Sequence, residues 1–175
     1  MRWVALLRAV NLGRNNKVPM AELKKLLDGA GYGDVRTYIA SGNVLLDGPS
    51  RAATVAAEIE RIVATAFGVR TTVILRKPRD LARIVAAHPF GDDVSETHVA
   101  FLAARPAGSA AARLEAAGPG ADQAALVGTE LYLRLPRGVH GARLSNARIE
   151  SLLGVPATLR NWRTVVALAD LAAGA

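Results

Sequence analysis

With 175 residues, 51% of them apolar, the chain has material for one compact domain or two small ones, and disorder as its main state is excluded. The absence of cysteine removes disulfides, thiolate zinc sites, iron–sulfur clusters and cysteine nucleophiles together, and it suits a cytoplasmic setting. The net charge of +7 sits in two stretches: residues 1–17 hold Arg2, Arg8, Arg14 and Lys17 with no acid, and residues 134–163 hold six arginines against Glu150.

In chain order, residues 3–10 read as a strand whose continuous apolar run suits burial on both faces. Arg8 interrupts that run too early for a signal peptide, and no apolar stretch approaches the ~20 residues of a membrane helix, so no membrane partner is expected. A polar loop, 11–17, leads to a helix opened by Pro19 and carried by Met20, Leu23, Leu26, Leu27 and Ala30 at helical spacing. Residues 35–40 and 44–47 are short strands around the turn Ser41-Gly42-Asn43. A helix over 51–67 presents Val55, Ile59, Ile62 and Val63 on one face, and a β-branched strand covers 71–76. The order β-α-β-β-α-β is the ferredoxin-like plan.

After a connecting helix from Pro78 and an acidic loop over 90–97, the order repeats. Strands are expected at 98–103, 124–127, 131–135 and 155–159, helices at 110–117 and 144–153, and a last helix at 161–173. The expected fold is therefore α+β, two split-βαβ (ferredoxin-like) subdomains in tandem plus a C-terminal helix. Residues 1–77 form the first subdomain, 78–96 the connection, and 97–175 the second. No residue-level similarity between the halves supports the repeat, only the order of elements.

Four motifs are family-like: Ala5-Leu6-Leu7-Arg8-Ala9-Val10-Asn11, Asn16-Lys17-Val18-Pro19-Met20-Ala21-Glu22-Leu23, Thr37-Tyr38-Ile39-Ala40-Ser41-Gly42-Asn43-Val44, and the ending from Leu153 to Val165. Together they resemble the DUF1697 family of bacterial proteins of unknown function. The resemblance implies a two-part α/β architecture and no activity. The chain departs from that pattern at Ala9, where glycine is common, at Asn146, where threonine is usual, and at Arg163, where asparagine is usual.

Two cationic segments point to chemistry. The loop 11–17 joins a strand to a helix N-terminus, where outward N–H groups and the positive dipole end favour an anion. Arg8, Asn11, Arg14, Asn16 and Lys17 are its candidate ligands, and it lacks the second glycine and Lys-Ser/Thr pair of a Walker loop. The segment Arg160-Asn161-Trp162-Arg163 offers two guanidiniums, a stacking ring and a helix start. Plainer roles stand beside these: Asn side chains closing a turn, Asn161 as an N-cap, Trp162 as core.

Tyr38, Ser41 and Asn43 form a turn that would contact a ligand, Tyr38 by stacking. Ser41 has no nearby histidine and no nucleophile elbow. His88, Asp92, Asp93, Glu96 and His98 cluster without metal-ligand spacing, so no metal is assigned. No general base and no cofactor can be named, so the chain is left unassigned as an enzyme.

The expected function is binding of a small anionic ligand, phosphate-bearing or a nucleotide, where 11–17 and 160–164 converge. The rivals are a nucleic-acid module working through phosphate contacts and a protein–protein interaction domain. An RNA-recognition sheet is disfavoured because the third strand, 43–47, carries no aromatic.

Overall fold

The computed structural model of the chain describes residues 1–92, 94–118 and 120–174. Its first six elements are β1 (Arg2–Leu7), α1 (Met20–Gly29), β2 (Gly33–Tyr38), β3 (Asn43–Asp47), α2 (Ala52–Phe67) and β4 (Val73–Arg76). These strands form one antiparallel sheet in the order β2-β3-β1-β4. That is the ferredoxin-like arrangement expected from the order of elements.

After α3 (Pro78–Ala86) come β5 (Thr97–Leu102), α4 (Ala110–Ala116), β6 (Gln123–Val127), β7 (Glu130–Arg134), a short α5 (Gly138–Gly141), α6 (Asn146–Leu153) and β8 (Ala157–Asn161). The second sheet has the order β6-β7-β5-β8, the same plan, and α7 (Trp162–Ala173) closes the chain. Met1–Leu81 with Leu168–Ala175 form one compact unit and Ala82–Ala167 the other, so the divisions fall inside α3 and α7.

Period-2 alternation on the strands and helical spacing on α1 and α2 build the first core. Trp3, Ala5 and Leu7 of β1 and Val44 and Leu46 of β3 meet Leu23, Leu27, Val55, Ile59 and Val63. The opposite face of this sheet is buried as well, at Val4, Leu6, Leu45 and Ile74, as the unbroken apolar run of β1 requires. The second core repeats the scheme with Ala100, Leu102, Leu131 and Leu133 against Leu114, Ile149 and Leu153. On the other face of that sheet, Tyr132 Oη donates to Ile84 O at 2.9 Å, and Arg83 pairs with Glu130 at 3.2 Å, tying the end of α3 to β7.

Several boundaries differ by one or more residues from those expected, and three of the differences have a clear local cause. β1 ends at Leu7 because Ala9 and Asn11 adopt left-handed φ of 55° and 54°, which no strand continues through. The closing strand lies at Ala157–Asn161 because Pro156 has no N–H to give the ladder. α6 starts at Asn146, where Ser145 Oγ caps it by accepting from Arg148 N at 3.3 Å, and the short α5 precedes it.

The repeat holds residue by residue. β1 pairs Trp3 with Leu46 and Leu6 with Asn43; β5 pairs His98 with Leu133 and Phe101 with Glu130. Trp3 thus corresponds to His98, Asn43 to Glu130, and, through Val4↔Arg76 and Val99↔Arg160, Arg76 to Arg160. Contacts follow the same correspondence. Leu7 N donates to Gly42 O at 2.8 Å and Leu102 N to Thr129 O at 2.9 Å. Glu60 accepts from the first amide of β4, Val73 N, at 2.8 Å, and Glu150 accepts from the first amide of β8, Ala157 N, at 2.7 Å.

Candidate functional site

The loop that follows β1 is shaped by its own asparagines. Asn11 Nδ2 donates to Val18 O at 2.9 Å and to Ala40 O at 2.7 Å, while its Oδ1 accepts from Val18 N at 2.8 Å. Asn16 Nδ2 donates to Ala9 O at 2.9 Å, and Lys17 Nζ to Gly13 O at 2.6 Å. Asn11 therefore ties the loop to the turn after β2, where Asn43, fully buried, donates to Tyr38 O at 3.0 Å and Ser41 Oγ at 2.9 Å. Arg8 is fixed through its backbone: its carbonyl accepts from Thr71 Oγ1 at 2.7 Å and its amide donates to Thr72 O at 3.0 Å.

Ala9, Asn11, Asn16 and Ile39 all take positive φ there, which is strained for Ala9 and more so for the β-branched Ile39. A glycine at position 9 would take this left-handed turn without strain. Most of the nominated polar side chains in this region thus hold the loop's shape. Arg14 is exposed, as are Leu12 and Ile39.

The other nominated segment belongs to the second unit. Arg160 is 6% exposed and donates from Nη1 to Thr158 Oγ1 and Leu159 O, both at 2.8 Å. Burial lowers its pKa to about 10, which leaves it cationic at neutral pH. Its counterpart Arg76 is also buried and donates to its own preceding carbonyl, Leu75 O, at 2.9 Å, so the arginine is a feature of the repeated architecture. Asn161 is the cap of α7: Oδ1 accepts from Thr164 N at 2.8 Å. Trp162 is buried with its ring centroid 4.5 Å from that of His88, and Arg163 is exposed.

The two imidazoles of the acidic connection are engaged separately. His88 Nε2 lies 3.1 Å from Thr97 Oγ1, and His98 Nδ1 lies 3.2 Å from Glu96 O. Asp93 falls outside the described residues, and among those described no group of three His, Asp or Glu side chains could hold a metal.

A recess of about 330 Å³ opens in the second unit, on the helix-covered face of its sheet, within the size range of small-molecule sites. Leu135, Val139, Leu144 and Leu159 form its apolar walls. His98, Ser145, Asn146 and Asn161 supply polar groups. Burial lowers the pKa of His98, although the Glu96 carbonyl partly offsets it, so the ring is neutral at pH 7. Asn146 donates Nδ2 to Ala157 O at 3.0 Å, and its buried Oδ1 has no hydrogen-bond partner among the described residues.

One wall of the recess is the connection from β7 to α6, braced by Asp122, whose Oδ2 accepts from Arg143 N at 2.7 Å and Leu144 N at 3.1 Å. Residues 134–148 carry Arg134, Arg137, Arg143 and Arg148 and no acid. Arg134 pairs with Glu96 at 3.3 Å, and the other three are exposed. Of the nominated residues, only Asn161 lines this recess. In sequence, His98 reads only as one member of a His/Asp/Glu cluster without metal-ligand spacing, and Asn146 only as a departure from the family pattern.

The architecture defines a protein of two ferredoxin-like units in tandem, the second carrying an open recess. Among the described residues no helix is long and apolar enough to cross a membrane. The chain belongs to the DUF1697 family, described as a protein of unknown function, which it matches over residues 1–132. It is similar in fold to the conserved bacterial protein SP0830 from Streptococcus pneumoniae, at 21% identity with 98% of each chain covered and a TM-score of 0.73. No curated protein matches it. The family match stops before the connection that walls the recess.

Proposed function

We propose that the chain binds a small anionic ligand and that the recess of the second unit is its seat. One observation carries this: an apolar-walled cavity of ligand size, with Asn161 on its lining, lies beside a connection that holds two exposed arginines, Arg137 and Arg143, and no acid, with the exposed Arg148 following in α6. Such a stretch concentrates anions at the mouth, while the apolar walls lower the local dielectric and strengthen each polar contact within. The loop at 11–17 offers charge without a described recess, and its asparagines are already committed to holding its shape.

Thermal-shift titration with glycerol 3-phosphate and with a short oligothymidylate, at 50 and 200 mM salt, tests this. The phosphate ester should raise Tm in a saturable way with a modest salt dependence, and Val139→Trp at the exposed rim should abolish the effect. Stabilisation by the oligonucleotide alone, falling by a factor on the order of 10³ between the two salts, would replace this function with phosphate-tracking of nucleic acid. A response that survives Val139→Trp and disappears with Arg14→Ala would move the seat to the loop.

A further inference from the structure

The recess exists in only one of two equivalent positions, and the register explains why. His98 corresponds to Trp3, and both side chains lie on the helix-covered face of their sheets, one pleat from Ala100 and Ala5. In the first unit the indole fills the place: Trp3 is 4% exposed, its Nε1 donates to Pro49 O at 2.8 Å, and Lys77 Nζ stands 5.5 Å from the ring centroid. In the second unit an imidazole replaces the indole, Asn161 pairs across the strand from His98, and the short link 48–51 is replaced by the longer 135–145. A smaller ring under a longer covering connection leaves a hollow.

The ring's orientation specifies what would enter. A carbonyl oxygen only accepts, so the bond between His98 Nδ1 and Glu96 O places the proton on Nδ1 and leaves Nε2 as an acceptor. Nε2 has no partner among the described residues. Asn146 Oδ1, also on the recess lining, is a second acceptor lacking a donor, a buried shortfall that a bound N–H or O–H would relieve.

We infer that the Trp-to-His exchange between the two halves has opened a ligand site in the second unit only, and that this site selects an anion that also carries hydroxyl or amino hydrogen-bond donors. The anionic part rests on the function proposed above; the donor requirement rests on His98 and Asn146 alone.

Calorimetry with three probes separates the two parts: glycerol 3-phosphate, n-propyl phosphate of the same charge and similar size without hydroxyls, and uncharged glycerol. Wild-type protein should bind glycerol 3-phosphate about tenfold more tightly than propyl phosphate, the worth of one or two neutral hydrogen bonds. His98→Leu, which keeps the bulk and removes Nε2, should shrink that ratio at least threefold, leaving only the share owed to Asn146 Oδ1. His98→Trp, which copies the first unit, should remove binding of both esters, with circular dichroism unchanged.

If His98→Trp fails to fold, Val139→Trp at the rim provides the same block without touching the core. Equal affinity for the two esters, or binding indifferent to both blocking substitutions, overturns the inference, as does binding of none of the three probes. Binding of glycerol with neither ester, lost in His98→Leu, would retain the donor requirement and end the anionic function.

Discussion

The two halves of this chain share a topology, a register and several individual hydrogen bonds, yet they treat one position in opposite ways. The first unit closes the end of its sheet with Trp3, Pro49 and Lys77. The second leaves it hollow around His98, under a connection rich in exposed arginine. Shared contacts such as Glu60 on Val73 and Glu150 on Ala157 mark what the plan requires of any copy. The divergent position marks what one copy has been free to change, and function is to be sought there.

The sharpest way to break the comparison is to disturb the shared plan itself. Gly42 sits at φ 82°, and a Cβ added to it would stand 2.5 Å from Val10 Cγ2 and 3.0 Å from Leu7 Cβ. Gly42→Ala combines backbone strain with overpacking, so urea denaturation should show a loss of about 3 kcal/mol. Thr129, which accepts the equivalent bond from Leu102 N, needs no glycine there, and Thr129→Ala should cost less, about 1.5–2 kcal/mol, the loss of its Oγ1 donation to the buried Glu130 Oε1 at 2.8 Å.

Next comes the reverse exchange. Trp3→His should cost roughly 2–4 kcal/mol by hollowing the first core, measurable in the same denaturation curves. A loss much smaller than that would mean the first unit does not depend on its plug.

Removing the α7 cap with Asn161→Ala should cost about 1 kcal/mol, since one amide, Thr164 N, loses its acceptor. A drop in ligand affinity larger than the drop in stability would show that Asn161 also faces the ligand.

The smallest effect is on pH. His98 has a folded pKa below its unfolded value, so the unfolded chain binds the extra proton first. The stabilisation is present above the unfolded value of about 6.5 and is lost as pH falls through it towards the folded pKa. His98→Leu should flatten the stability profile in that window.

Much of the fold was legible because periodicity and turn chemistry report local structure directly. The unbroken run in β1 gave its two-faced burial, Gly68 marked the end of α2 with its left-handed φ, and Asn161 declared itself a cap. The site was less legible. Arg160 looks like a surface ligand in sequence, and only the register, with Arg76 as its counterpart, reveals a buried architectural residue. Trp162 looks like a stacking platform, and only its packing on His88 places it in the interior. The recess depends on an exchange between positions 3 and 98, invisible until strand pairing aligns two halves that share no evident sequence.

The most direct test is amide and side-chain chemical-shift mapping of the whole chain titrated with glycerol 3-phosphate. The largest saturable shifts should fall on His98, Val139, Asn146 and Asn161, with Trp3 silent. Shifts confined to residues 9–17, or appearing equally around Trp3, would contradict the claim that the second half alone carries the open site.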